Sequence, residues 1–256
     1  MILGFIGTGE ITKSVVLGIL GSNIKFNKIY LSKRNSKISQ YLSKKNKKIF
    51  ILKNNQEIIN KSNWVFLGIT PKVGNIILRQ LKFKNKQKVI SFISTIDMKQ
   101  LKNYIGQNCE IVRAIPLPPI SLGVGPIPIF PPNKKIKLFF DKIGKTIEIN
   151  NEKMSLNFWA ISSMMAPYYE ILNFLTLWLV KKGLNKKNAE RYITSLFLGL
   201  SINASQNKYK NLKELVNKSQ TPRGLNEQAL KELKGLNFYK KLNISSNNIL
   251  KRLKRK

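Results

Sequence analysis

The stretch Met1-Ile-Leu-Gly-Phe-Ile-Gly-Thr-Gly-Glu-Ile-Thr12 decides how this chain reads. Ile2, Leu3, Phe5 and Ile6 make a short apolar run of the kind that forms a buried strand. The run breaks into Gly7-Thr8-Gly9, after which Ile11, Val15, Val16, Ile19 and Leu20 recur at helical spacing. Strand, glycine turn and helix in that order are the context a dinucleotide-binding fingerprint requires. Gly7 permits the tight turn, and Gly9 leaves no Cβ between the backbone and a pyrophosphate. The free N–H groups and positive dipole end of the helix then face the phosphates. Where a third glycine is usual the chain has Thr12, so strand and helix must pack around a β-branched residue.

Downstream, residues 28–32 form a second apolar strand at the distance needed to close a βαβ unit. An NAD site ends this strand in Asp or Glu, which holds the ribose 2′-hydroxyl. Here Ser32-Lys33-Arg34-Asn35 supplies a hydroxyl and two cations, which suit a 2′-phosphate, so NADP(H) is expected over NAD(H). The alternation continues with strands over 48–52, 64–67, 88–92, 110–115, 127–130 and 146–149. Helices are predicted from Asn55, Pro71 and Asp97, with a further one near 134–143. In an open α/β sheet the C-terminal ends of the strands face the ligand crevice. The expected cofactor-binding set is therefore Gly7, Thr8, Gly9, Ile11, Thr12, Ser32, Arg34, Asn55, Gly68, Ile69, Thr70, Pro71, Ser94 and Thr95, with the loop 116–119 completing the rim.

After about residue 151 the alternating strands stop. The pattern predicts an α/β chain with a doubly wound, Rossmann-type NADP-binding domain over 1–151 and an all-helical dimerisation and substrate domain over 152–256. Residues 158–180 are long and apolar enough to raise a membrane span. Pro167, Glu170, Asn173 and the Ser162-Ser163 pair argue instead for one helix, apolar all round because a partner subunit covers its outer face. Residues 189–204, 212–216 and 225–253 also read as helical, and Lys251-Arg-Leu-Lys-Arg-Lys256 as a frayed, solvated tail.

Composition limits the chemistry more than it suggests it. Lys and Arg number 46 against 12 acids in 256 residues, a net charge of +34. Such a balance raises nucleic acid as a partner. The cations, however, are scattered and only seven are arginine, the residue that reads phosphates and base edges, so no dedicated nucleic-acid surface is expected. There is no histidine, which excludes imidazole acid–base catalysis and histidine metal ligation. Cys109 is the single cysteine, so no internal disulfide or cysteine metal cluster can form, and a buried thiol in a reducing cytoplasm is expected. With no metal site expected, the chemistry must come mainly from a bound cofactor.

Several of these segments together resemble the pyrroline-5-carboxylate reductase family. Its opening G-F-I-G-x-G-x-M-A is similar to Gly4-Phe-Ile-Gly-Thr-Gly-Glu-Ile-Thr12, and its A-V-K-P loop to Gly68-Ile-Thr-Pro71. Its V-R-x-M-P-N-T-P segment resembles Val112-Arg-Ala-Ile-Pro-Leu-Pro-Pro119. Looser matches are S-G-S-G-P-A-Y to Ser162-Ser-Met-Met-Ala-Pro-Tyr-Tyr169 and S-P-G-G-T-T to Thr221-Pro-Arg-Gly-Leu-Asn226. The resemblance implies a dimer with interlocked C-terminal helices, NADPH as cofactor, and reduction of a cyclic imine to proline. It also implies that Arg223, Gly224 and Asn226 occupy the loop that holds the substrate carboxylate. Pro222 fixes φ there, Gly224 can take angles closed to other residues, and the loop is expected to present free N–H groups at a helix start. Leu117, Leu225 and Ile93-Ser94-Thr95 depart from the family pattern and bear on which imine is bound. No catalytic side chain is assigned. Two alternatives stay open: another imino or oxo acid as substrate, or a basic binding protein without chemistry.

Overall fold

The computed structural model describes residues 1–206 and 211–254. Strand β1 (Ile2–Ile6) lies inside an eight-stranded sheet with β2 (Lys28–Ser32) and β4 (Trp64–Leu67) as its parallel neighbours. The remaining strands are β3 (Ile49–Leu52), β5 (Lys88–Ser91), β6 (Glu110–Ala114), β7 (Pro126–Phe130) and β8 (Lys145–Glu148). Their order across the sheet is β3-β2-β1-β4-β5-β6-β7-β8, and only β6–β7 pair antiparallel. Strand order reverses between β1 and β4, which creates the crevice where ligands bind in doubly wound sheets.

Side chains alternate across the sheet, and both faces are covered. Leu3 and Phe5 join one core cluster with Val15, Val16 and Ile19 of α1 (Glu10–Gly21) and Phe139 and Phe140 of α6 (Lys134–Phe140). Ile6, Val65 and Leu67 join the opposite cluster with Ile58 and Ile59 of α3 (Asn55–Lys61) and Leu101 of α5 (Met98–Ile105). Burial on both faces is why these strands read as nearly unbroken apolar runs instead of alternating ones. Phe5 and Phe66 stack with ring centroids 4.5 Å apart at the centre. Two further helices, α2 (Ser36–Lys45) and α4 (Pro71–Ile77), follow β2 and β4.

Two compact units divide the chain after Trp159: Met1–Trp159 with the described residues Leu253 and Lys254, and Ala160–Arg252. The sequence reading draws the line at 151/152, ahead of α7 (Glu152–Ser162), whereas the division falls within that helix. The apolar stretch 158–180 is not one helix. It breaks at Ser163-Met164 between α7 and α8 (Met165–Lys181), and Pro167 sits in the first turn of α8, where a missing N–H leaves no helical bond unmade. Helices α9 (Lys186–Ser205), α10 (Leu212–Lys218), α11 (Leu225–Gly235) and α12 (Phe238–Lys254) follow. The expected helix over 225–253 is likewise two, separated where Asn237 turns left-handed at φ 57°. Lys251 to Lys254 belong to α12 and are not a frayed tail; Arg255 and Lys256 lie outside the described residues.

Within the second unit α8 packs on α9, with Tyr168 edge-on to Phe197 and Thr176, Ala189 and Ile193 buried. Phe174, Trp178, Leu198 and Leu200 remain exposed on these two helices. Among the described residues no helix is long and apolar enough to cross a membrane.

Candidate functional site

Gly7 ends β1 at φ +90°, a left-handed angle that glycine adopts without strain. A Cβ there would also lie 2.5 Å from the Gly68 carbonyl oxygen, so the loops after β1 and β4 approach each other as only glycine allows. Gly9 is the N-cap of α1; no side chain caps the helix, and nothing stands within 4 Å of the place a Cβ would occupy. The first-turn N–H groups of α1 are thus open to an anion. Glu10, the one acid in that turn, is tied to Lys13 at 3.2 Å.

A cavity of about 450 Å³ brings together Gly7, Thr8, Gly9, Arg34, Gly68, Ile69 and Thr70 of the expected set. Arg34 and Lys37 line it, and no carboxylate is among its described lining residues. Asn35 caps α2 by accepting the Ile38 N–H at 3.2 Å, which turns the chain so that Arg34 and Lys37 share the cavity. Two cations beside a glycine turn and an uncapped helix start fit the pyrophosphate and 2′-phosphate of NADP(H).

Other members of the set lie elsewhere. Ser32 is 4% exposed, and its hydroxyl accepts the Gly7 N–H at 2.9 Å. Thr8 Oγ1 donates to the Ser32 carbonyl at 2.8 Å, so the proton between the two hydroxyls, 3.1 Å apart, is that of Ser32. With its proton directed to Thr8 and a lone pair accepting the Gly7 N–H, Ser32 braces the glycine loop, and it is not among the residues that line the cavity. Thr12 is buried beneath the turn and donates to the Gly7 carbonyl at 2.6 Å. Ile11 packs against the core cluster, and Pro71 begins α4. Asn55 is also displaced from expectation: it lines a different cavity, of about 950 Å³, with Gln56, Asn60, Leu81 and Lys82.

Ser94 and Thr95 face a third cavity, of about 740 Å³, together with Gln100, Arg113, Glu152 and Asn157. The loop over 116–119 runs into a short 3-10 helix, Pro118–Leu122, that packs on α1; a Cβ on Gly18 would meet the Ile120 carbonyl oxygen at 2.5 Å. Sequence reasoning missed Lys37, whose only signal was the Asn35 cap before the apolar positions Ile38 and Leu42. It also gave Arg113 no role, although an arginine inside an apolar strand of so lysine-rich a chain is itself a signal. Cys109 is half-buried, not buried, and burial pushes its thiol above the ordinary range.

In the loop over 221–226, where the sequence leads one to expect the substrate carboxylate, Gly224 caps α11 at φ −84°, an ordinary angle, and it is Arg223 that is left-handed, at φ 62°. Gly224 is needed for a different reason: a Cβ there would stand 2.2 Å from Thr221 Oγ1. The loop's N–H groups are not all free either. Arg223 N–H donates to Glu227 Oε2 at 2.6 Å, and Asn226 Nδ2 donates to the Ser219 carbonyl at 2.9 Å.

Residues 2–96 match the family described as NADP oxidoreductase, coenzyme F420-dependent, and residues 152–255 match the pyrroline-5-carboxylate reductase dimerisation family. Pyrroline-5-carboxylate reductase of Haemophilus influenzae is 23% identical over 217 residues, which covers 80% of this chain and 79% of that protein. The crystal structure of 1-pyrroline-5-carboxylate reductase from Streptococcus pyogenes superposes with a TM-score of 0.85 at 21% identity, covering 100% of this chain and 99% of the other. Plasmodium falciparum pyrroline carboxylate reductase, solved with NADP bound, gives 0.83 at 22% identity, covering 99% and 97%.

Proposed function

We propose that the chain is a member of the pyrroline-5-carboxylate reductase family and works as an NADPH-dependent reductase of a small carboxylated cyclic imine, pyrroline-5-carboxylate, with proline as product. The observation that carries the reading is the cavity where Gly7 to Gly9, Gly68 to Thr70 and Arg34 meet. NADPH, when bound, supplies the hydride. The backbone of Gly7 to Gly9 and the open N–H groups of α1 hold the pyrophosphate, and Arg34 and Lys37 hold the 2′-phosphate. A protonated imine is already electrophilic, so a chain without histidine can do this chemistry mainly by positioning. Ser94 and Thr95 stand at the end of β5, two strands along from β1, and Arg223, Gly224 and Asn226 are the proposed carboxylate contacts. The C-terminal unit is the dimerisation domain and joins copies of the chain. One unmatched cysteine and NADPH dependence suit a cytoplasmic location.

Loss of reduced-nicotinamide absorbance when purified protein meets NADPH and pyrroline-5-carboxylate tests the reading; no loss at any enzyme concentration rejects the substrate. A second reading, the same chemistry on another imino or oxo acid, is favoured by Glu227, whose carboxylate already accepts the Arg223 N–H. A panel of cyclic imines and keto acids separates the two.

A further inference from the structure

Arg113 lies in β6 and is 5% exposed, the only buried arginine among the described residues. Its Nη1 donates to Glu152 Oε1 at 2.6 Å and its Nη2 donates to the Ser94 carbonyl at 2.8 Å. Its Nε is buried with no partner among the described residues, so the two Nη groups alone hold the guanidinium. Glu152 Oε1 accepts a second donor, the Met98 N–H at 2.7 Å, which is the first free donor of α5. That carboxylate therefore sits at a helix start, where negative charge is favoured.

These contacts clamp one loop at both ends. The segment from Ser94 to Met98 is held at its first carbonyl by Arg113 and at its last N–H by Glu152. Ile93 and Ile96 anchor it in the core, while Ser94 and Thr95 border the 740 Å³ cavity that Arg113 and Glu152 also line. A lysine, with one point charge, cannot span a carbonyl and a carboxylate in fixed directions as a guanidinium fork does. In a chain where lysine far outnumbers arginine, an arginine at this buried position is explained by that double contact.

We propose that Arg113 and Glu152 are positioning residues that hold the Ser94–Thr95 rim in its working geometry. The inference rests on the reductase reading for what the rim serves, and on the hydrogen bonds alone for the clamp. Arg113→Lys keeps the charge and the pairing with Glu152 but loses the Ser94 link; Arg113→Met loses both; Glu152→Gln keeps an acceptor for Met98 but leaves Arg113 without its counter-charge.

Two readouts on the intact protein decide it. Hydrogen exchange of the amides in 93–98 should quicken in all three variants, while exchange in β1, β2 and β4 stays at the parent rate. At saturating NADPH, kcat on the imine should fall by about ten- to a hundredfold, because misplacement by about 1 Å is enough to do so. NADPH affinity measured by nicotinamide fluorescence should stay within about twofold, a split that separates positioning from unfolding. Arg113→Lys should retain more activity than Arg113→Met. Parent-like exchange of the loop in Arg113→Lys and Glu152→Gln overturns the inference, whether or not the imine is the substrate. So does exchange that quickens across the whole sheet, or NADPH affinity that falls in step with kcat. A parent protein inert toward every imine rejects the reductase reading, and the loop exchange then still decides the clamp.

Discussion

Thr12 and Gly68 interlock across the crevice: a Cβ on Gly68 would stand 2.3 Å from Thr12 Oγ1, the same oxygen that donates to the Gly7 carbonyl at 2.6 Å. A β-branched residue replaces the third glycine of the fingerprint because the neighbouring strand's loop has given up its own side chain. The packing requirement has moved from α1 to the end of β4.

Gly68→Ala is therefore expected to cost about 1–3 kcal/mol of stability through overpacking. Thr12→Ala alone should cost about 0.5–1.5 kcal/mol, from the lost hydrogen bond. The double variant should be more stable than the sum of the two, since removing Oγ1 frees the space the new methyl needs. Urea midpoints of the four proteins measure the coupling; strict additivity would show that the two side chains do not compete.

Arg34→Ala should weaken NADPH by about 1.5–3 kcal/mol, the worth of a charged hydrogen bond, and leave NADH nearly unchanged. Ser32→Ala should behave differently. It removes the acceptor of the Gly7 N–H and loosens the loop that both cofactors share. Titrations with the two nucleotides should show equal losses for Ser32→Ala and a selective loss for Arg34→Ala. A selective loss in Ser32→Ala would return that hydroxyl to the 2′-phosphate.

The fold was legible because its signals are local. Apolar runs such as Trp64–Leu67, glycine turns and the Pro71 helix start each fall within a few residues, and every strand read from the sequence exists to within a residue at either end. Helix α2 left little signal, since only Ser39 and Leu42 of its ten residues are buried. The missed breaks share another cause. Around 163 and 237 the apolar pattern continues through the turn, and only the backbone of Asn237 reveals it. At the site, glycine chemistry could be read, but side-chain direction could not. Ser32 and Arg34 are two residues apart, one buried as a brace and the other lining the cavity. The Arg113–Glu152 pair spans 39 residues of sequence, so Arg113 stands out in its apolar strand but nothing local points to its partner.

Asp141 gives an acid-dependence prediction. Burial works to raise its carboxyl, but hydrogen bonds from Lys137 and from the Thr146 hydroxyl and backbone outweigh that and hold it below the ordinary aspartate value. Its folded-state pKa thus lies below the unfolded one, about 3.9. The stabilisation is present in full above that pH and is lost as pH falls through the folded value. Denaturant midpoints of the parent and Asp141→Asn should differ at neutral pH and converge on the acid side, as the folded-state carboxyl takes up its proton. A constant difference down the acid limb would contradict the assignment.

The substrate loop can be tested with two changes of opposite expected sign. Gly224→Val places a side chain against Thr221 Oγ1, so the turn must shift; KM for the imine should rise while NADPH still binds. Glu227→Gln keeps the shape but removes a negative charge beside the Arg223 N–H. For an anionic substrate KM should then fall by about two- to fivefold, the scale of one charge at a helix start. Steady-state kinetics with both variants unchanged would remove this loop from the substrate site.

The exposed apolar faces of α8 and α9 lead to the last prediction. Phe174 and Leu198 are 64% and 61% exposed in the single chain, and Trp178 and Leu200 extend the same apolar character. Patches of this kind on a folded protein mark contact surfaces, and these helices lie inside the matched dimerisation family. Phe174→Asp and Leu198→Asp are expected to shift the protein from an oligomer to a monomer in sedimentation, each lost anchor weakening association by about 2 kcal/mol or more. The sheet unit carries none of these residues, so NADPH affinity should survive in both variants. If the change acts through assembly, raising protein concentration should restore oligomer and turnover together. A variant that remains oligomeric at low micromolar concentration would show that this face of α8 and α9 is not where copies of the chain meet.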